Sequence, residues 1–542
     1  MQIIRRYLAG IIVVVCLLSS LFSMQSRQVA VYLPMQVNTE MEKRACWISY
    51  IDMESELSDK SEAAFRAKVH AMYDTVKRYG LNTVIVHARA MGDAFYPSDY
   101  FPYSEYMSKT RTYPGYDPYE IMVAVAHEEG LRFEAWINPY RLSLGEETTA
   151  SFEHTPFYAK YQSMILEYQG QNGTCLVLNP QSAEAQQLVV NQVAEILERY
   201  PVDGIHFDDY FFVDGMQDTL PQEEKMQAVN ALVQKVYQTV KQKRPDCEFG
   251  ISPAGNPDYA RSQGADINTW LSQEGYVDYV MPQIYWTDRY VTDGKEVSMF
   301  SNRCEVWQTL HTNPEIKLYA GLALYRVGET SDTDLDWALR EDNLATQCAH
   351  IYGMGYDGFA LFRYAYLKEN GTQVELQNLY SYLKKQAGIL TSEVDAGIVY
   401  TVHMQTFGWQ EAKMDGIVAG YTKQEKSVEA VRIQLGAYVP KGNVRYAVET
   451  AQGQSAWRKD GEQAGSVGQK EPLLGIRINL TGGISDSYDI LYRVYVSAQG
   501  WTDWGKNGTY TGGGTIQALQ VKLVKKAEVC VKFLWGRKIN KI

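Results

Sequence analysis

Cysteine is scarce in this chain: 7 among 542 residues, placed singly at Cys16, Cys46, Cys175, Cys247, Cys304, Cys348 and Cys530. With no CxxC pair and no Cys/His cluster, the sequence offers no zinc site, and no cofactor signature stands in its place. A long basic block is missing too. The 52 Lys+Arg are outnumbered by 64 Asp+Glu, for a net charge of −12, which argues against nucleic acid as the main ligand. No GxGxxG or P-loop follows the first β-rich run, so the usual nucleotide cradles are excluded. What remains is a globular composition, 45% hydrophobic, in a chain long enough for several domains. Aromatics reach 12%, with 40 Tyr and 11 Trp. Aromatic faces and Tyr hydroxyls suit the alternately apolar and hydroxylated faces of sugar rings.

Arg5 and Arg6 precede the apolar run YLAGIIVVVCLLSSLF (7–22), which polar MQSRQ follows. A charged region before an apolar one reads as an export signal. The run falls between a cleaved signal core and the roughly 20 residues of a full span, and no small-x-small triplet marks cleavage near Ser23. Residues 1–30 are therefore expected to be a signal peptide or a signal anchor. Cys16 lacks a lipoprotein context. Either outcome places the rest of the chain outside the cytoplasm, secreted or tethered at the cell surface.

From about residue 40 to 388, β-rich runs alternate with helix-period segments. The runs are 45–51, 82–88, 132–138, 202–208, 247–252, 278–285, 318–324 and 357–364. Segments 62–80, 183–200 and 333–355 carry the helical period, and the last closes on glycine. Eight strands each followed by a helix predict an α/β fold, a (β/α)8 TIM-type barrel. Such barrels carry their chemistry at the carboxyl ends of the strands. Those ends hold His87 and Arg89; Asn138, Tyr140 and Arg141; His206, Asp208, Asp209 and Tyr210; Gln283, Tyr285 and Trp286; and Arg363.

Alternation in DGIHFDDY points His206 and Asp208 to one face, with Ile205 and Phe207 toward the outer helices. Asp208 is then aimed into the barrel mouth, with Asp209 at the strand tip. Glycoside cleavage needs one carboxyl to protonate the leaving oxygen and a second to attack or to activate water. The Asp pair could share that work, or one member could act with Glu134, Asp288 or Glu329. Alternatively Asp209 caps the loop and Asp208 only hydrogen-bonds Arg89 or substrate hydroxyls. The histidines suit orienting roles, and the arginines suit either binding of acidic groups or ion pairing. The Tyr-rich stretch 96–119 reads as a long, self-packed loop after the second strand.

The motifs WISYID, VHARAMGDAFYPSDYFPYS, AWINPYR, GIHFDDYFF, MPQIYW and GFALFRY, in order over about residues 40–388, resemble the glycosyl-hydrolase-like family 10. The resemblance implies a (β/α)8 fold and hydrolysis of peptidoglycan glycan strands, notably strands stripped of stem peptides. It implies Asp208 as the catalytic carboxylate, with Asp209 beside it. Arg89, Asn138, Tyr140, Arg141, Tyr210, Gln283 and Tyr285 fall on the family's rim motifs. Two positions depart: Glu134 stands where the family often has His, and Arg363 where it often has Ser.

The C-terminal part repeats itself. Gly416, Gly461 and Gly508 are each followed four residues on by Gly420, Gly465 and Gly512, and each unit has an opening and a closing strand. Three such units over 399–525 predict one small all-β domain of β-prism or trefoil type, because no unit could bury its face alone. The units resemble clostridial hydrophobic W repeats, which implies an adhesion or substrate-binding module. Trp409, Trp457, Trp501 and Trp504 carry that resemblance; they suit either a surface site or the core of the module. The linker is expected at 388–398 and a basic tail at 526–542. Two further readings compete with a peptidoglycan hydrolase: a non-catalytic glycan-binding or adhesion protein, and a hydrolase of another polysaccharide.

Overall fold

A computed structural model describes residues 42–216, 220–386, 397–410, 412–422, 425–436 and 439–526. The expected signal segment lies outside these residues, as do nearly all of the expected linker and basic tail.

The first part is a closed barrel of parallel strands. In chain order they are Lys43–Ile48, Thr83–Arg89, Arg132–Ile137, Gly204–Phe207, Glu248–Ile251, Tyr279–Val280, 317–322 and Gly358–Leu361. The seventh consists of two short pieces. Lys317–Leu318 pairs with the sixth strand and Ala320–Leu322 with the eighth, which in turn pairs with the first. That split closes the ring.

Local chemistry sets the strand ends. The first strand stops at Ile48, earlier than its apolar run suggests, because Ser49 and Asp52 form a capping box that starts the helix Tyr50–Leu57. The sixth is shorter than the expected 278–285 because Pro282 has no N–H to give to a ladder. Outer helices bury one apolar stripe each. Ala183–Arg199, capped by Ser182, turns Ala185, Leu188, Val189, Val193 and Ile196 toward the sheet. The Tyr-rich loop packs on this helix: the Tyr96 hydroxyl and Ser98 hydroxyl donate to Glu195 at 2.9 and 2.6 Å.

Two hairpins go beyond the expected strands: Tyr290–Thr292 with Lys295–Val297, and one at the barrel mouth. Between the third and fourth barrel strands, Ile165–Gly170 and Gly173–Leu178 form an antiparallel hairpin over the barrel mouth. Its loop is Gln171-Asn172, and Gly173 holds a φ of +99°, a conformation that favours glycine.

The second part is a three-sheet prism. Each repeat supplies one long antiparallel pair: Ile398–Met404 with Val428–Leu435, Asn443–Thr450 with Gly475–Thr481, and Tyr488–Val496 with Ile516–Lys525. Each also lends a two-residue strand to another repeat's sheet. Ala464–Gly465 joins the first, Thr511–Gly512 the second and Ala419–Gly420 the third, so the exchange runs round the ring. A Cβ at Gly420, Gly465 or Gly512 would meet a backbone oxygen at 2.4, 2.3 or 2.3 Å. Only glycine lets these strands approach. Tyr400, Tyr446 and Tyr492 occupy equivalent core positions and donate to the carbonyls of Ile417, Glu462 and Thr509. The tryptophans stand outside this core. Trp409 packs against Arg432 at 4.3 Å, Trp457 against Arg445 at 5.6 Å, and both Trp501 and Trp504 against Arg493 at 4.7 Å.

Candidate active site

The barrel mouth holds a cavity of about 300 Å³ lined by the ends of several strands. Asp208, Asp209 and Tyr210 come from the fourth strand; Trp136 and Arg141 from the third; Gln283 and Tyr285 from the sixth; Phe362 and Arg363 from the eighth. Trp47, Ser49 and Tyr50 contribute from the first. Trp47, Tyr50 and Trp136 were not singled out in the sequence, although they stand in strand-end motifs that were.

Asp208 is held by a relay that starts on the backbone. The Tyr50 N–H donates to His87 Nδ1 at 3.0 Å, so the His87 proton sits on Nε2, which donates to Asn138 Oδ1 at 2.8 Å. Arg141 Nη2 donates to the same oxygen, also at 2.8 Å. The Asn138 amide is thereby oriented with its Nδ2 donating to Asp208 Oδ2. The Tyr210 N–H donates to the other carboxyl oxygen at 3.3 Å. Burial and the neighbouring Arg141 hold His87 well below its ordinary pKa, which fits the neutral ring that this relay needs.

The electrostatics favour a retained proton on the Asp pair. Burial, opposed by Arg141 and reinforced by Asp209, pushes the Asp208 carboxyl up to about 7. Burial, against hydrogen bonds and Arg141, carries Asp209 up to about 6. The two titrate together, and between them they keep a proton toward neutral pH. Arg141 lies under the Tyr210 ring at 4.4 Å, with its Nε donating to the Ala90 carbonyl at 2.8 Å. It is the fixed cation of the site.

The structure divides the remaining sequence candidates. Gln283, Tyr285, Tyr210 and Arg363 line the cavity. Arg363 donates to Asp52, which is sealed at the start of the first helix. His206 lies inward of Asp208, outside the cavity lining. Trp47 Nε1 donates to its Nε2 at 3.3 Å, and its Nδ1 proton goes to the Tyr279 hydroxyl at 2.7 Å. That hydroxyl donates to Glu134 at 2.6 Å, and Glu134 pairs with Lys43 at 2.6 Å. Glu134 is therefore structural. Arg89 is also away from the cavity. It is fully buried, donating to the carbonyls of Pro139, Met91 and Arg141 and to Gln192, and so it clamps the loops of the second and third strands. Tyr140 is fully buried, with its carbonyl accepting from Leu178 of the hairpin at 2.8 Å. Trp286 packs beside Gly255, outside the cavity. Asp288 accepts from Ser301 N and Oγ at 2.8 and 2.6 Å, and Glu329 pairs with Arg326 at 2.7 Å. Neither reaches the Asp pair's cavity.

A second cavity of about 600 Å³ shares Leu144, Asp209 and Tyr210 with the first and runs along the hairpin past Gln169, Asn172, Tyr259 and Gln263. The two adjoin at Asp209 and Tyr210, with Asp208 lining the first. Among the described residues, no group of three or more His, Cys, Asp or Glu side chains converges as metal ligands would.

Comparison with known proteins identifies the family. The model of the family described as glycosyl hydrolase-like 10 matches residues 42–339, and the clostridial hydrophobic W model matches 403–436. The glycosyl hydrolase DigH of Escherichia coli K12 is 30% identical over 355 residues, covering 57% of this chain and 77% of that protein. The glycosyl hydrolase YngK of Bacillus subtilis is 30% identical over 357 residues, 58% of this chain and 68% of that one. Among solved structures, the PgaB glycoside hydrolase domain of Bordetella bronchiseptica aligns with a TM-score of 0.43 at 12% identity, over 62% of this chain and 98% of that one. The chain therefore belongs to the glycosyl hydrolase-like 10 family, and it is a glycoside hydrolase that acts on glycan substrates.

Proposed function

We propose that this enzyme cleaves glycosidic bonds in the glycan strands of peptidoglycan, preferentially strands stripped of their stem peptides, outside the cytoplasm. The observation that carries the reading is the Asp208–Asp209 pair at the junction of an aromatic cavity and an open cleft. One carboxyl is poised to protonate the leaving oxygen, and aromatic rings stand ready for sugar faces. Two arginines line the same cavity. Removal of a stem peptide exposes a lactyl carboxylate, for which a guanidinium is the matching partner. The apolar run behind Arg5 and Arg6 supports export, by secretion or as a tether. The half-exposed Trp–Arg pairs of the prism support a surface-binding role for the repeats, with the cell wall as the expected ligand.

The test is digestion of purified glycan strands, with and without stem peptides, with mass spectrometry of the soluble products and Asp208→Asn alongside. Fragments from bare strands, absent with the variant, are expected. Cleavage of an unrelated polysaccharide in place of these strands would overturn the substrate assignment.

A further inference from the structure

The two carboxyls that line the central cavity come from consecutive residues of one strand tip. Both therefore enter the cavity from the same strand. Across the barrel from the fourth strand stand the first and eighth, and they present Trp47, Tyr50, Phe362 and Arg363. The acidic groups nearest that side are already engaged. Asp52 accepts from Ser49 N, Ala365 N and Arg363, at 2.8 and 3.0 Å for the two amides. Asp334 accepts from Thr287 N at 3.1 Å and pairs with Arg326 at 2.7 Å. Among the described residues lining this cavity no third carboxylate faces the pair, and Asp214, which lines the adjoining one, is engaged, accepting from the Tyr259 hydroxyl at 2.8 Å and from Gln263 Nε2 at 3.1 Å.

This placement conflicts with both common two-carboxylate schemes. Retention by double displacement puts the anomeric carbon between acid and nucleophile, about 5–5.5 Å apart, and inversion puts it between acid and base, about 6.5–9.5 Å apart with water intervening. Either scheme brackets the sugar with groups on opposite sides. Here both groups stand on one wall, and the other side presents aromatic rings and Arg363 but no carboxylate.

We propose that the substrate supplies its own nucleophile: the carbonyl oxygen of a 2-acetamido group on the sugar whose anomeric bond is cleaved. The inference deepens the reading above, resting on the Asp pair as its acid–base machinery and not on the identity of the polymer. In the first step the acetamido oxygen forms a bond to the anomeric carbon as the bond to the leaving oxygen breaks. The leaving oxygen keeps that electron pair and takes the proton of Asp208. Asp209 accepts the acetamido N–H proton as the nitrogen's electrons move into the new ring. In the second step water attacks the anomeric carbon and Asp208 takes its proton. The ring C–O bond returns its electrons to the amide, whose nitrogen recovers its proton from Asp209. The balance is one glycoside plus one water to two sugars, with configuration retained. Trp47, Trp136 and Phe362 meet edge to face at centroid distances of 5.9 and 6.5 Å and supply an apolar floor for the acetamido methyl. Tyr285 offers a phenol to the acetamido oxygen; burial raises its pKa well above the ordinary value, so it stays a donor.

The test uses the full-length protein with three readouts. Proton NMR of fresh digests of bare strands follows the anomer first released, which is expected to be β. Strands N-deacetylated and re-acylated with trifluoroacetyl keep their shape but weaken the acetamido oxygen, and kcat should fall at least about 100-fold with KM little changed. Thiazolines of N-acetylglucosamine and N-acetylmuramic acid, which mimic the bicyclic intermediate, should bind more tightly than the parent sugars by calorimetry. An α anomer released first, a covalent sugar adduct on Asp209, an unchanged kcat on trifluoroacetylated strands, or no thiazoline binding would each overturn the proposal. Retaining cleavage of chitin oligosaccharides with no cleavage of peptidoglycan strands would support it while removing the peptidoglycan assignment.

Discussion

Asn138 is the last member of the relay that reaches Asp208, and removing it should move a pH limb in a calculable direction. Its Nδ2 donates to Asp208 Oδ2, a bond that favours the charged carboxylate. A hydrogen bond to a charged group contributes about 1.5–3 kcal/mol, and one pKa unit corresponds to about 1.4 kcal/mol. Asn138→Ala should thus raise the Asp208 carboxyl by about 1–2 units beyond its position near 7. The sign follows: a carboxyl with a higher pKa keeps its proton to higher pH, so the alkaline limb of kcat/KM moves upward by the same amount. The plateau should fall, because a weaker acid protonates the leaving oxygen less readily. The variant also takes the shared acceptor from His87 and Arg141, so thermal unfolding should accompany the pH–rate profile on bare strands. A folded variant whose alkaline limb stays within a few tenths of a unit of the parent's would refute the relay as the device that sets this proton.

Four further outcomes are expected. Asp208→Asn should lower turnover by about 10²–10⁴-fold while leaving strand pull-down intact. In the parent, a folded-state pKa raised from 3.8 to about 7 means that stability declines as pH rises through that window. The variant's advantage in unfolding temperature should therefore grow from pH 4 to pH 8, and a constant offset would contradict the assignment. Lys43→Met leaves Glu134 buried without its cation, 2.6 Å away in the parent, and should cost about 3–5 kcal/mol in denaturant unfolding; an unchanged midpoint would count against the buried pair. Gly465→Val puts a side chain where φ is +95° and a backbone oxygen lies 2.3 Å from the Cβ. It should open the prism to proteolysis and spare hydrolysis of soluble fragments. Deleting 391–542 should likewise spare soluble substrates but lower retention on cell walls, and equal wall binding would remove the anchoring role.

The barrel was legible because each strand announces itself by its β-rich run, and the second, third, fourth, sixth and eighth do so again by polar residues at their carboxyl ends. The repeats were legible from glycine spacing alone, although the exchanged strands that bind them together pair residues dozens of positions apart. The hairpin over the mouth went unread. Its strands lack clean alternation, yet Asn172-Gly173 between ILEYQ and TCLVL is the dipeptide that marks such a turn. The tryptophans of the prism could not be assigned inward or outward from sequence, since a short repeat gives no face to measure against. The structure answers by placing an arginine on each one.

The site shows where a strand-end motif stops being informative. Period-two alternation correctly turns His206 and Asp208 to the same side, but two residues of strand rise separate them by about 6–7 Å. That distance divides a cavity wall from a sealed interior, where Trp47, Ser252 and Tyr279 occupy both ring nitrogens of His206. Arg89 and Arg141 differ for the same kind of reason. Both follow apolar strands and both are buried, but carbonyls and Gln192 take up every Arg89 nitrogen, whereas Arg141 keeps one edge toward Asn138 and its face toward Tyr210. A motif of this type therefore mixes residues that do chemistry with residues that hold loops in place. What separates them is whether the partners of a polar group are supplied by the protein or left for the substrate, and that is set by depth in the barrel, which the strand period alone does not encode.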